Sequence, residues 1–273
     1  MEKRVVNKKT QFICAAMLAG LLVIMAFIAP WFAPHDPLET DFLHILEPPG
    51  LLYPLGTDQV GRCILSRLLY GARISLGMTF GILIIIFVLG MLIGIVAGMR
   101  SGFLDTVIMR IADTILAFPD LVFAIAVIGL LGPGIINTIG ALAIIWWTKF
   151  ARLSRVLVRT AVQSDAFLAG RMAGAGPVKQ IRYYILPSIF PPLLTQLSLD
   201  IGNMMLALAG LSFLGLGVQP PTPEWGNMLS ESREYLQSAP WLIVYPGIAI
   251  FIVVVVFNIL GDSTRKYLDP GRH

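Results

Sequence analysis

Apolar stretches about as long as a bilayer is thick recur along this chain, and they leave few folds open to it. A helix needs roughly 20 consecutive apolar residues to cross a hydrocarbon core. Six stretches of the 273 residues meet or approach that length: 11–33, 74–98, 109–131, 135–158, 188–213 and 240–261. Only 13% of the residues are charged and 56% are hydrophobic, whereas soluble domains carry about a quarter charged residues. Too few charges exist to coat a water-facing exterior, so the expected fold class is an all-α membrane protein with six transmembrane helices. The net charge of +4 comes from cations spread between the apolar spans. They form no basic stripe with interleaved aromatics, which argues against nucleic acid as a partner. Cys14 and Cys63 are far apart and fit no metal or redox spacing.

The first span follows Lys3, Arg4, Lys8 and Lys9. That pattern also describes a signal peptide, but the apolar run from Phe12 to Ala29 is longer than an h-region and favours a retained anchor. With the N-terminus inside, sixteen of the twenty lysines and arginines fall on inside segments, and only Arg62, Arg67, Arg73 and Arg233 fall outside. The positive-inside bias therefore predicts an N-in, C-in topology. Residues 34–73 form an outside segment with Asp36, Glu39, Asp41, Glu47 and Asp58. Its end, from Asp58 to Arg73, reads as an amphipathic helix lying at the interface, with Ile64, Leu65, Leu68 and Leu69 on one side. Residues 214–239 form a second outside segment, rich in Gly and Pro.

The longest inside segment, 159–187, reads as two short helices joined at Ala173-Gly174-Ala175-Gly176-Pro177. Glycine permits the turn and Pro177 suits the first turn of the second helix. Small residues and cations on a short exposed helix suit docking into another protein, although a plain reconnecting loop accounts for them too. Charged groups inside spans are costly and invite a functional hypothesis. Asp200, twelve residues into the fifth span, and Asp120, in the third, are candidate pathway groups, with Asn203 and Met204 beside Asp200. Each also has a structural reading, as a partner between helices or as apolar packing. Asp113, near the inner end, reads as structural and within reach of Arg110. His35 and His44 among the outside acids read either as a weak metal site or as a solvated loop.

The inside loop resembles the EAA loop of ABC-importer permeases, whose pattern is Glu-Ala-Ala, three residues, Gly, then Leu-Pro ending thirteen residues beyond that Gly. Ala169, Gly174 and Leu186-Pro187 hold the pattern, while Leu168 stands where it has Glu and Gly170 where it has the second Ala. Gly56-Thr57-Asp58-Gln59-Val60-Gly61-Arg62, Gly71-Ala72-Arg73-Ile74-Ser75-Leu76, the run from Gly210 to Gly217, Pro223-Glu224-Trp225-Gly226, Asn258-Ile259-Leu260-Gly261-Asp262 and Leu268-Asp269-Pro270 resemble the peptide/nickel branch. The chain is thus similar to C-type permeases of dipeptide, oligopeptide and nickel importers.

That resemblance implies a type I ABC-importer permease fold in a bacterial inner membrane. It divides the chain into an anchor, outside loop and interfacial helix (1–73), a permease core with its coupling loop at 159–187 (74–262), and a cytoplasmic tail (263–273). It implies an ATPase-coupling role for Leu168, Ala169, Gly170, Gly174, Gly176, Leu186 and Pro187. The implied partners are a second homologous permease, two ATP-binding subunits and an extracytoplasmic binding protein, all working in the lipid bilayer. ATP and Mg belong to the ATPases, and this chain binds no cofactor and is not itself an enzyme. In keeping with that, it lacks a GxxxxGK[ST] loop and also HExxH and GxSxG. No internal repeat suggests a transporter that works alone. The context of Asp200, from Leu199 to Leu206, is similar to nickel-type permeases, and Met204 and Met205 offer soft thioethers. Nickel or a metal chelate is therefore the favoured cargo, with a dipeptide or oligopeptide as the alternative.

Overall fold

The computed structural model describes residues 2–100 and 102–268, with side chains from Lys8 onward. Lys3 and Arg4, as side chains, and Asp269, Pro270 and Arg272 of the tail lie outside them. Among the described residues the regular elements are all helices, and the first outside loop has one isolated β-bridge, Thr57 to Cys63. The helices are α1 (Glu2–Ile28), α2 (Ile64–Met99), α3 (Phe103–Leu116), α4 (Asp120–Leu131), α5 (Ile135–Val162), α6 (Asp165–Met172), α7 (Pro177–Gln180), α8 (Leu186–Phe213), α9 (Trp225–Glu231) and α10 (Trp241–Leu268).

Four stretches are long and apolar enough to span by themselves: Lys8–Phe32, Ile64–Met99, Pro177–Phe213 and Trp241–Leu268. The expected continuous third span, 109–131, is instead two helices, α3 and α4, bent by 94°. Proline disfavours helix in the residue before it and cannot donate to the turn behind it, so Pro119 closes α3 and opens α4. Taken together the bent pair makes a fifth candidate span. The expected fourth span is α5, which has 28 residues but carries Lys149, Arg152, Arg155 and Arg159.

Two further expectations change. The predicted interfacial helix at 58–73 is not a separate element. Residues 58–63 are loop, and helix begins at Ile64 and runs unbroken through residue 73. At 36 residues α2 is about 54 Å long, more than the hydrocarbon core requires, so it reaches beyond it. The second short helix of the inside loop is also not free-standing. α7 passes through a π-helical turn, Ile181–Ile185, straight into α8. Pro187 has no N–H to give, and the neighbouring Leu186 N–H reaches back five residues to Ile181 O.

The bundle is centred on α2, α5 and α8. Gly90, Gly94 and Gly98 make one small-residue seam along α2, and α5 lies in it. A Cβ on Gly94 would stand 2.4 Å from Ser154 Cβ and 2.5 Å from Ala151 O, and one on Gly90 2.5 Å from Phe150 Cβ. In a membrane, where burial from water contributes little between helices, such backbone approach is what holds them together.

Charge pairing completes that contact. Asp105 of α3 bonds Arg155 at 2.7 Å and Arg159 at 2.5 Å. Asp113 bonds Arg152, not the Arg110 expected from sequence, and Asp120 of α4 bonds Lys149 at 2.6 Å. The three aspartates thus climb α3 and α4 while the four cations descend α5. Every cation of α5 is matched.

At the outer end a second network joins two loops far apart in sequence. Arg62 bonds Asp58 at 2.6 Å and Glu231 at 3.0 Å, and Arg67, only 1% exposed, bonds Glu231 at 2.6 Å. Glu224 accepts from Ser75 Oγ and caps α9 through Gly226 N and Asn227 N at 3.0 and 2.9 Å. Trp225 Nε1 donates to Leu68 O at 3.0 Å. The Gly71–Leu76 motif therefore meets Pro223–Gly226 through Ser75, while the Gly56–Arg62 motif reaches the segment after α8 through Glu231.

Two substitutions test these contacts. Gly94→Ala drives a methyl into backbone and should destabilise the fold by about 1–3 kcal/mol. Glu231→Ala leaves Arg62 and Arg67 only Asp58 to share and should cost about 3–5 kcal/mol. Unfolding in detergent micelles measures both, and stability equal to wild type would refute the corresponding contact.

Candidate translocation site

The mid-helix polar residues gather between α4, α5 and α8. A cavity of about 220 Å³ is lined by Asp120, Leu121, Leu142, Trp146, Asn203, Leu206 and Ala207. Asp120 and Asn203 therefore come together. Lys149 Nζ bonds Asp120 and lies 4.0 Å from the Trp146 ring centroid, over its face. That cation–π contact shares the positive charge while leaving the ammonium half exposed.

Asp200 is 4% exposed and sits behind this cavity. It accepts from Gln196 Nε2 at 2.9 Å and Asn203 Nδ2 at 3.4 Å, both on its own helix. Lys149 and Asp120 are close enough to act on it electrostatically. Asp200 thus holds Asn203 from behind, and Asn203 presents the polar surface to the cavity. Met204 does not join them. It is fully buried in the apolar core, as is Met205, whose Sδ takes a contact from Thr79 Oγ1 at 3.7 Å. Their thioethers face protein.

At the start of α5 lies a wider cavity of about 680 Å³, lined by Pro133, Gly134, Ile135, Ile136, Asn137, Gln219, Pro220 and Thr222. The segment that follows α8 forms one wall of it, through Gln219, Pro220 and Thr222. Gly215 turns the chain at φ +77°, a conformation that disfavours a side chain. Leu216 O then accepts from Gly134 N at 3.3 Å and Thr138 Oγ1 at 3.1 Å.

On the first outside loop His44 Nδ1 pairs with Asp41 at 2.6 Å. The carboxylate beside it raises the His44 pKa from its ordinary value, and the imidazole lowers that of Asp41. Tyr53 lies between the two histidine rings, with centroids 4.9 Å from His35 and 5.6 Å from His44. Tyr53 thus contacts both rings, and among the described residues no group of three or more His, Cys, Asp or Glu lies together as metal ligands would.

On the inner side Ser164 caps α6, accepting from Phe167 N at 3.3 Å. Phe167 is buried edge-on against Tyr184, with centroids 6.3 Å apart. Gly170 has to be small, since a Cβ there would stand 2.4 Å from the Tyr184 ring. Gly174, at φ +81°, makes the turn, and Ala175 N returns to Gly170 O at 3.0 Å. Gly176 then caps α7 ahead of Pro177. Leu168, Ala169 and Pro187 are exposed, while Leu186 is half-buried where the rod begins.

Sequence reading missed Lys149 as a site residue and counted it only among the inside cations. The signal was present: Asp105, Asp113 and Asp120 recur every two helical turns, and the cations of α5 recur every turn.

The profile described as "Binding-protein-dependent transport system inner membrane component" matches residues 90–273. "N-terminal TM domain of oligopeptide transport permease C" matches residues 6–49. The chain is 42% identical over 256 residues to the di/tripeptide transport system permease protein DppC of Pseudomonas aeruginosa (strain UCBPP-PA14), covering 92% of this chain and 84% of that one. It is 41% identical over 256 residues to the nickel transport system permease protein NikC of Escherichia coli (strain K12), covering 94% and 92%. Among solved structures, a chain of the MetNI methionine ABC transporter in inward-facing conformations matches with a TM-score of 0.59 at 20% identity. That match covers 74% of this chain and 95% of that one, a likeness of fold. The chain belongs to the binding-protein-dependent transport system inner membrane component family, as a multi-pass inner-membrane permease subunit of an ABC importer.

Proposed function

We propose that this chain forms half of the translocation pathway of an ATP-driven importer, with six crossings and both ends inside. The bent α3–α4 pair supplies the third crossing and α5 the fourth. A second, homologous permease closes the pathway over the α4–α5–α8 face. An extracytoplasmic binding protein delivers cargo to the wider cavity. Two ATPase subunits, holding ATP and Mg, act through the inside loop, and this chain contributes no catalysis of its own.

The observation that carries the pathway reading is the half-exposed Asp120–Lys149 pair beside the 220 Å³ cavity. Two opposite charges held side by side suit a zwitterion. A peptide ammonium can take Asp120 while a peptide carboxylate takes Lys149, so no charge is left unpaired in a low dielectric. A peptide is thus the cargo that this geometry favours, with Asn203 as a neutral hydrogen-bonding group. The nickel reading based on Met204 loses its soft ligand to the core. It keeps one support, the similarity to the nickel permease. A bare dication would meet Lys149 as a like charge, so that reading requires an anionic chelate.

Reconstitution with the partner subunits in proteoliposomes tests both levels. Uptake of labelled dipeptide or nickel chelate should stop when the ATPase subunits are hydrolysis-dead, and uptake that persists would reject ATP-coupled import. Asp120→Asn should lower uptake about tenfold or more without loss of the ATPases from the complex. The double variant Asp120→Asn with Lys149→Gln removes the stranded charge and should fold normally yet still fail to transport. Wild-type uptake by either variant would remove the pair from the pathway.

A further inference from the structure

The inside loop hides one side of α6 and leaves the other bare. Phe167 and Gly170 turn inward onto Tyr184. Leu168, 45% exposed, and Met172, 90% exposed, point outward one turn apart, with exposed Ala169 beside them. Beyond the Gly174 turn Val178 and Tyr183 are exposed as well, at 77% and 63%. Apolar area left in water costs roughly 25 cal/mol per Å², and this loop surrounds it with polar groups instead of covering it. Those groups have one sign. Arg171, Lys179 and Arg182 are exposed, and Asp165 is the loop's single acid from 164 to 187. Arg182 rests over the Tyr183 ring at 5.7 Å, whereas among the described residues Arg171 and Lys179 have no ion-pair partner. Asp165 is occupied in the first turn of α6, where the helix dipole favours an anion.

Resting on the reading of this chain as an ATPase-coupled subunit, we propose that this surface selects a particular kind of ATPase groove. The floor of that groove is apolar and receives Leu168 and Met172, and its rim is acidic and meets Arg171 and Lys179. Leu168 then determines specificity. A carboxylate at that position would be buried against an apolar floor and face an acidic rim, and the nearest cation, Arg171 one turn along α6, would be drawn to that rim instead. A groove built to bind a glutamate there would hold a cation, and Leu168 would leave that cation unpaired. This permease and its ATPase are therefore matched through an apolar contact and are not interchangeable with glutamate-type pairs. An anionic membrane surface could attract the same cations, but α6 is fixed by Phe167 against Tyr184, which favours a shaped protein partner.

The test uses the assembled permease pair in nanodiscs, titrated with its own labelled ATPase. Leu168→Glu should weaken binding about tenfold or more, and Leu168→Met should stay within about twofold of wild type. Arg171→Ala with Lys179→Ala should flatten the salt dependence of binding. Because Leu168 and Met172 are exposed, these variants should still assemble with the second permease. Leu168→Glu binding as tightly as wild type, or more tightly, would overturn the apolar floor. Binding that follows the anionic lipid content of the nanodisc and not the ATPase would overturn the protein partner. A wild-type chain that retains no ATPase would instead reject the coupled-subunit reading itself.

Discussion

A lysine or arginine near the middle of a bilayer costs at least about 2.5–3.5 kcal/mol, and α5 carries four cations along its second half. Unaided, it is a poor membrane helix. Asp105, Asp113 and Asp120 remove that cost by meeting Arg155 and Arg159, Arg152 and Lys149 in turn. The bend at Pro119 allows it, because α3 and α4 can each lie against a different part of α5. The glycine seam of α2 holds α5 from the other side. The central helix of the fold, and the cavity it lines, depend on these pairs.

The same pairs link structure to transport. The inner pairs, Asp105 with Arg155 and Arg159, lie toward the inside loop, and the Asp120–Lys149 pair lies at the cavity. α5 runs from the wider cavity, past the ion pairs, to Ser164 and the exposed face of α6. α8 runs back as one rod from Pro177 to Phe213 and carries Asn203 to the same cavity. Two long helices thus connect the 159–187 loop to the cavity. At the outer end the buried joint of Asp58, Arg62, Arg67 and Glu231 ties the first outside loop to the segment that follows α8.

Several departures between expectation and structure have one cause. Hydropathy sees composition along a line, so 109–131 looked like one helix although Pro119 breaks it, and α2 looked short because its first turns carry Arg67 and Arg73. Arg67 is among the most deeply buried side chains of the protein. Its partner Glu231 lies 164 residues further along the chain, and no local pattern announces such a pair. Met204 had two readings, apolar packing and a soft contact to a metal, and the helical turn that hides one face of α8 places it in the core. Gly170 looked like a defect in a motif, yet it is the space that the Tyr184 ring occupies.

The sequence by itself determined that the chain lives in a membrane, because lipid tolerates a run of apolar residues and water does not. It also determined the family, since several motifs spread along the chain agree, and it located the inside loop with its turn at Gly174. Only the tertiary structure decided that Asp120 belongs to Lys149, that Asn203 faces the cavity while Met204 does not, and that Leu168 and Met172 form one exposed surface. Those are questions of which way a side chain points and what stands opposite it. Helix rotation and long-range contact answer them, and neither is written in the order of residues along the chain.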